Sequence, residues 1–200
     1  MANLVINPKN WAGRAIIFIM ESTIFGILVA ILLVFCLMAF TGAPYVPSMK
    51  KELKIAFKEL YPLSKKDYLV DLGSGDGIVL KIANQFGAKA LGIELNPFLA
   101  FFTKLRFRKN PDIKISDDNL FVANFPQETT VVYVFGDDRD IEKIAKAIQK
   151  QTVKLGHSLF LISHAFTIPG LKPLKQHRAY FLYKIDADSK IGAPKKKSVR

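Results

Sequence analysis

The sequence has very little of the chemistry that builds disulfides or metal sites. Its 200 residues include one cysteine, Cys36, and three histidines. A single cysteine excludes a disulfide framework and a cysteine-based zinc site within one chain. The histidines (His157, His164 and His177) do not follow a ligand spacing such as H-E-x-x-H. We therefore expect a protein that works without a bound metal.

Charge is absent from a long stretch near the N-terminus. No charged residue occurs from Ser22 to Met49, and Thr23 to Phe40 is almost wholly apolar. A helix of about 20 apolar residues crosses the core of a bilayer. A cleaved signal peptide and a buried core helix are the alternatives, but the stretch begins late and no A-x-A cleavage pattern follows it. We expect one retained transmembrane helix over residues 22–42, after a short lead-in over residues 1–21.

Positive charge is concentrated after this stretch. Lys9 and Arg14 precede it, with Glu21 at its edge, whereas six lysines follow within residues 50–66. The positive-inside tendency places the following domain in the cytoplasm or an equivalent compartment, with a single membrane pass. The formal net charge of +12 suits anionic lipid headgroups or an acidic partner, although solvated lysines account for it equally well.

Residues 43–66 are predicted to form a linker and a basic amphipathic helix. Ser48 is a suitable N-cap for this helix. Its lysines suit anionic headgroups at a membrane surface. Its apolar positions follow the i, i+3, i+4, i+7 spacing of a helix face: Leu53, Ala56, Phe57 and Leu60.

Residues 67–188 alternate short apolar runs with helical segments, which predicts an α/β fold with a mainly parallel, Rossmann-like sheet. Strands are expected at 68–72, 88–95, 113–115, 130–135, 158–163 and 178–185, with helices at 78–86, at 97–109 and from residue 141. A loop at 167–173 joins the last two strands and is too short for a crossover helix. These strands are therefore expected to be antiparallel. The tail over residues 189–200 is basic and expected to be disordered.

The run from Asp71 to Gly77 (DLGSGDG) follows one predicted strand and opens a helix. Its glycines permit a tight turn and close backbone approach, and a helix N-terminus offers amides to an anionic group. Glu94 ends the next strand, where a carboxylate can accept hydrogen bonds from ribose hydroxyls. The spacing fits neither the dinucleotide G-x-G-x-x-G pattern nor a Walker A loop. The alternatives are a site for the nucleoside cofactor S-adenosylmethionine and a merely structural turn.

This run and GIELNP (Gly92 to Pro97) together resemble the class I, seven-β-strand lysine methyltransferases. The similarity is greatest to the membrane-anchored family that includes the ATP synthase c-subunit and adenine nucleotide translocase lysine methyltransferases. An N-terminal hydrophobic stretch, Tyr45-Val46-Pro47-Ser48, the Asp-rich segment Asp117 to Phe121, and Phe135-Gly136 add to the resemblance, which spans approximately residues 20–185. It implies a class I methyltransferase domain with S-adenosylmethionine as cofactor.

The resemblance also implies which residues hold the cofactor. Glu94 would bind the ribose, Leu95 would pack on the adenine ring, and Asp118 or Asn119 would contact the adenine amino group. Tyr45 and Ser48 would close over the methionine end, unless they serve only in packing and as a helix cap. The methionine part would be lined by Asp71, Gly73, Ser74, Gly75 and Gly77.

Asp137 is the predicted substrate-facing residue. It follows the fourth predicted strand, at the sheet edge where ligands bind in open α/β folds. A carboxylate there can help a lysine lose its proton. The alternative is that Asp137 or Asp138 caps the helix that begins near Ile141.

Methyltransferases that modify nucleobases carry Asn, Asp or Ser followed by Pro-Pro-Tyr or Pro-Pro-Phe at this position, whereas this chain has Val-Phe-Gly-Asp. A nucleic-acid substrate is therefore disfavoured. We expect transfer of a methyl group to a lysine of a protein in or near a membrane. The alternatives are transfer to a lipid or small lipophilic molecule, and a non-catalytic cofactor-binding or RNA-binding scaffold.

Overall fold

The computed structural model describes residues 9–41 and 50–192. The start of the predicted lead-in, Tyr45, Ser48 and the tail from residue 193 lie outside these residues. The chain divides into two compact units, Met1–Gly42 and Ala43–Arg200.

The first unit contains one helix, α1 (Lys9–Thr41), which begins within the predicted lead-in. Its side chains from Arg14 to Leu33 are exposed. Arg14–Val34 is long and apolar enough to cross a membrane, judged by length and composition. The Thr23 hydroxyl donates to the Ile19 carbonyl oxygen at 2.8 Å, so this polar group is satisfied within the helix. The helix is thus a candidate span.

The second unit is built on a seven-stranded sheet of order β3-β2-β1-β4-β5-β7-β6. The first five strands are parallel, and β7 is antiparallel to both β5 and β6. A mainly parallel sheet with an antiparallel last strand is therefore confirmed. The strands are β1 (Tyr68–Leu72), β2 (Lys89–Ile93), β3 (Ile113–Ser116), β4 (Val131–Phe135), β5 (Leu159–His164), β6 (Lys175–His177) and β7 (Tyr180–Ile185).

Four helices pack around this sheet. They are α2 (Lys50–Ile55), which continues as a π-helical segment (Ala56–Leu60), α3 (Ile78–Gln85), α4 (Pro97–Phe107) and α5 (Ile141–Leu155). Asn96 caps α4: its Oδ1 accepts from the backbone N–H groups of Phe98 and Leu99, at 3.0 and 3.2 Å. Gly156 ends α5 in a left-handed conformation (φ 75°) that glycine adopts without strain.

Alternate residues of the inner strands form two apolar layers, one on each face of the sheet. Leu69 and Tyr133 point into the layer with α3, whereas Val70 and Val132 point into the layer with α5. The apolar face of α2 and its π-helical segment is buried in the first layer, and the lysines of that helix are exposed. The helix over Lys50–Leu60 therefore has one buried apolar face and one exposed basic face.

One strand departs from the predicted elements. The edge strand β6 has the sequence Lys-Gln-His and forms by pairing with β7, so no apolar alternation marks it in the sequence. Residues 117–130, between β3 and β4, form turns and loop, and the predicted elements place no helix there. The loop still contributes to the second layer, through Ala123 and Phe125.

Phe57 tests how strongly α2 and its continuation hold the domain. Its side chain is fully buried and makes edge contacts with Phe86 and Tyr133. We expect Phe57→Ala to lower the free energy of unfolding by about 3–5 kcal/mol, because it leaves a cavity. Urea unfolding of the full chain measures this, with exposed Val153→Ala as control. A cost no larger than that of the control would contradict the packing.

Candidate functional site

The glycine loop between β1 and α3 lies at the C-terminal edge of the sheet. Gly73, Gly75 and Gly77 all have left-handed backbone angles, with φ of 85°, 52° and 74°. Other residues adopt these angles only with strain. The backbone N–H groups of Gly73 and Ser74 both donate to the Ile93 carbonyl oxygen, at 2.8 and 3.1 Å. The loop is therefore fixed to the end of β2.

Two of these glycines have different surroundings. A Cβ on Gly73 would have no atom within 4 Å, so its backbone is open to a ligand. A Cβ on Gly77 would lie 2.5 Å from Phe107 Cε2, so this glycine permits close packing on α4. Gly92 of β2 similarly makes room for Ser74, whose Oγ would lie 2.5 Å from a Cβ there.

Glu94 connects this loop to the turn after β2. Its side chain is buried, Oε2 accepts from the Gly75 N–H at 2.8 Å, and Oε1 accepts from the Asn96 N–H at 2.9 Å. Each carboxylate oxygen can accept a second hydrogen bond. The group is thus held in place and keeps acceptor capacity for hydroxyls.

Asp71 is the other buried carboxylate of the site. It is 2 % exposed, and within the described residues its Oδ2 has no hydrogen-bond partner. Burial raises the pKa of Asp71 well above its usual range, and the carboxylates of Glu94 and Asp76 add to this. A buried acceptor without a partner is costly, so this oxygen suits a cationic donor supplied by a ligand.

These features fit S-adenosylmethionine. The partnerless Asp71 oxygen suits the ammonium of an amino-acid moiety, and Glu94 suits a ribose. The open side of Gly73 leaves space for the chain between them. Ser74 has a buried hydroxyl, also without a hydrogen-bond partner in the described residues, which offers a further polar group.

The residues predicted for the adenine end lie at the same sheet edge. Leu95 follows Glu94 and is 53 % exposed. Pairing of Ile93 with Ser116 brings the turn after β3 beside it, and Asp118 accepts a hydrogen bond from the Ser116 hydroxyl. Asn119 Oδ1 accepts from the backbone of a neighbouring turn residue at 2.9 Å. Their contacts with adenine stay predictions.

Asp137 follows β4 at this edge, but its carboxylate is engaged locally. Oδ1 accepts from the N–H groups of Arg139 and Asp140 at 2.8 and 3.1 Å, and Oδ2 accepts from Arg139 Nη2 at 2.7 Å. The hydrogen bond from Arg139 holds the pKa of Asp137 below its usual range. These hydrogen bonds lie in the turn before α5, whose N-cap is Asp140 without a side-chain cap hydrogen bond. Both roles considered for Asp137, capping the helix and facing substrate, stay predictions.

His164 was not among the predicted site residues. It ends β5 beside Phe135 of β4, with ring centroids 4.7 Å apart. Its Nδ1 lies 3.2 Å from the Tyr133 hydroxyl, and its ring stacks on Tyr180 at 4.3 Å and 5°. Among the described residues, Nε2 of His164 makes no hydrogen bond. Burial lowers the pKa of the His164 ring. The four residues, here called the aromatic cluster, are Tyr133, Phe135, His164 and Tyr180.

Backbone strain borders this cluster. Ala165 and Arg178 are the non-glycine residues in the described chain with positive φ, 73° and 51°. One follows His164, and the other precedes β7. Arg178 Nη1 donates to Glu52 Oε1 of α2 at 2.7 Å, and Glu52 is buried. Burial and then the Glu52 carboxylate raise the pKa of Tyr180 to about 12. Strained residues concentrate at functional sites.

Comparison with known proteins identifies the family. The model of the ANTKMT methyltransferase domain matches residues 71–175, which run from the glycine loop to β6. The chain belongs to the ANTKMT methyltransferase domain family. The Protein-lysine N-methyltransferase of Saccharolobus islandicus (strain REY15A) is 30% identical over 135 residues, covering 65% of this chain and 81% of that protein.

Other members of the family extend beyond the matched region. The ATP synthase c-subunit lysine N-methyltransferase of Xenopus laevis is 30% identical over 135 residues, 65% of this chain and 56% of that protein. The human protein of the same name is 30% identical over 111 residues, 54% of this chain and 46% of its own length. This chain thus spans about half the length of these relatives.

A solved structure supports the fold. An RNA methyltransferase from Salinibacter ruber, crystallised with S-adenosyl-L-homocysteine, superposes with a TM-score of 0.60 at 24% identity. The match covers 70% of this chain and 92% of that one. The predicted class I methyltransferase fold is therefore confirmed.

The raised pKa of Asp71 predicts a pH-dependent effect of Asp71→Asn. As pH rises above about 4, the unfolded chain loses the Asp71 proton more readily than the folded chain, so wild-type stability falls. Asp71→Asn removes this loss. We expect its melting temperature without cofactor to exceed that of the wild type by about 3 °C at pH 7, with the difference vanishing near pH 4.

Exposed Asp188→Asn is the matched control and should change nothing. Equal melting temperatures of Asp71→Asn and wild type at pH 7 would contradict the buried, unpaired state of Asp71.

Proposed function

We propose that this protein is an S-adenosylmethionine-dependent protein-lysine N-methyltransferase that acts at a membrane. The observation that carries the proposal is that the Asp71–Glu94 site and the aromatic cluster share one edge of the sheet. Family membership supports methyl transfer, and the names of the relatives support a lysine of a protein as the acceptor.

The sheet order supports a short path between the two sites. The glycine loop follows β1, Phe135 ends the neighbouring strand β4, and His164 ends the next strand, β5. Adjacent strands lie about 4.8 Å apart, so His164 is about 10 Å across the sheet from the end of β1. An extended lysine side chain entering between these sites would bring its amine close to the glycine loop.

The chain's own residues must make the amine neutral, because a free lysine with a pKa of about 10.4 is protonated at pH 7. The rings of Phe135 and Tyr180 would exclude water from an entering amine, and this desolvation lowers the pKa of the amine. His164 Nε2 can accept the proton when the ring hydrogen lies on Nδ1, which faces the Tyr133 hydroxyl. When bound, S-adenosylmethionine supplies an electrophilic methyl group on a sulfonium. Positioning the amine is the main contribution of the protein.

The membrane part of the proposal rests on α1 and on charge. Arg14–Val34 has the length and composition of a span, and the lysines of α2 are exposed. We infer a single pass with the methyltransferase domain on the cytoplasmic side or in an equivalent compartment. Anchoring confines the search for an acceptor to one membrane surface.

Label transfer into native membranes tests the proposed reaction. With methyl-labelled S-adenosylmethionine, we expect the wild type to transfer label to polypeptide. The labelling rate of Glu94→Ala should be at least about tenfold lower, because the hydrogen bonds from the cofactor to this charged group are removed. Label in the organic phase instead would indicate a lipid acceptor. Cofactor binding without any transfer would favour a non-catalytic scaffold.

Two matched variants separate the candidate proton acceptors. We expect His164→Asn to lower kcat at pH 7 by about 100-fold or more and to recover part of that loss at high pH, where the amine deprotonates unaided. The KM for S-adenosylmethionine should not change. Asp137→Asn should keep most of its activity, because its carboxylate is bound to Arg139. The reverse pattern would identify Asp137 as the substrate-facing residue and contradict the role of His164.

A further inference from the structure

Helix α4 presents an apolar face to solvent. Four of its large side chains are exposed, although they share one helix face at the i, i+3, i+4, i+7 spacing. They are Phe98 (46%), Phe101 (62%), Phe102 (62%) and Leu105 (48%), here called the α4 apolar surface. The opposite face of the helix, with Ala100, Thr103 and Phe107, is the buried one. Helix α4 therefore also has apolar side chains on the face that does not pack against the core.

Single exposed hydrophobic residues are ordinary, but a contiguous group marks an interaction surface. Phe101 and Phe102 contact each other edge to face at 5.6 Å, and this leaves most of both rings exposed. Helix α5 shows the usual arrangement: among its large hydrophobic residues only Val153 is strongly exposed. Among the described helices of the second unit, an exposed apolar face of this size occurs on α4.

Basic residues border the α4 apolar surface. From Pro97 to Lys109 the sequence has no acidic residue. Lys104 pairs with Asp117 at 2.6 Å and Arg106 with Asp76 at 3.5 Å, both at partly exposed positions. Arg108 and Lys109 are exposed, and neither forms an ion pair within the described residues. Aromatic residues bordered by lysine and arginine match the interface of an anionic bilayer, which offers apolar chains and phosphates together.

We propose that the α4 apolar surface docks on the anionic bilayer in which α1 is anchored, with the three phenylalanines below the headgroups and Arg108 and Lys109 at the phosphates. The membrane location rests on the proposed function, and the surface itself does not. A domain tethered by α1 meets the bilayer at high effective concentration, so a small surface suffices. Because α4 begins two residues after Leu95, docking holds the cofactor edge of the sheet close to the membrane.

Tryptophan fluorescence in vesicles tests the docking with the full chain. The sequence has one tryptophan, Trp11, so Trp11→Phe removes the native tryptophan fluorescence. Phe102→Trp reports the α4 apolar surface, and Val153→Trp is the matched control on α5. In vesicles of phosphatidylglycerol and brominated phosphatidylcholine, we expect the lipid bromines to quench the first protein and not the second. Equal emission of the Phe102→Trp protein with and without brominated lipid would overturn the proposal.

A second variant measures how much the α4 apolar surface contributes to docking. Phe101→Glu with Leu105→Glu, in the Phe102→Trp protein, should lower the docking equilibrium constant by about 100-fold or more and abolish quenching, because two apolar side chains that would insert into the lipid are lost. Binding of S-adenosylmethionine should be retained, which excludes misfolding as the cause. Quenching that persists in this variant would contradict the docking surface.

Vesicle flotation separates failure of this proposal from failure of the proposed function. Flotation without quenching at position 102 overturns docking and leaves the membrane-anchored methyltransferase intact. If neither tryptophan protein floats, the membrane location and the docking are both wrong. If the tryptophan at position 102 becomes shielded from solvent only after a membrane polypeptide is added, the surface binds a protein partner. That result would overturn the assignment to lipid.

Discussion

The pair of hydrogen bonds accepted by the Glu94 carboxylate determines the arrangement of the site. One oxygen holds the Gly75 N–H and the other holds the Asn96 N–H, so one side chain fixes the loop after β1 against the turn after β2. Asn96 in turn caps α4. The shape of the glycine loop, the end of β2 and the start of α4 therefore depend on one buried group. The same carboxylate keeps acceptor capacity for the proposed ribose hydroxyls. This is preorganisation of a binding site by the fold.

Asp71 and Glu94 have different proposed roles in this site because their surroundings differ. Glu94 is satisfied by backbone donors, whereas Asp71 Oδ2 has no partner in the described residues. A ligand with a cationic group at Asp71 would remove that cost, so cofactor binding and domain stability are coupled. On the acceptor side, the aromatic cluster brings together residues from β4, β5 and β7. With α4 docked on lipid, both sites would lie at the membrane surface, where a membrane protein presents its lysines.

The sequence predicts the glycine loop and the elements around it because its signals are local. The glycines, Glu94 and Asn96-Pro97 lie within one β-α-β-α unit whose periodicity is clear. The aromatic cluster could not be predicted, because Tyr133 and His164 are 31 positions apart and meet only through strand pairing. The α4 apolar surface could not be predicted for another reason. When both faces of a helix are apolar, the sequence does not show which face is buried. Strand β6 has no apolar pattern, and its pairing comes from β7.

The central claim is that this chain binds S-adenosylmethionine through the loop that Glu94 holds. Calorimetric titration of the full chain with S-adenosylmethionine tests it most directly, with Glu94→Gln beside the wild type, because this variant keeps the shape of the side chain and removes its charge. We expect the wild type to bind one molecule per chain, and Glu94→Gln to bind at least about tenfold more weakly, since hydrogen bonds to a charged acceptor are weakened. No binding by the wild type, or equal affinity of the two proteins, would contradict the account.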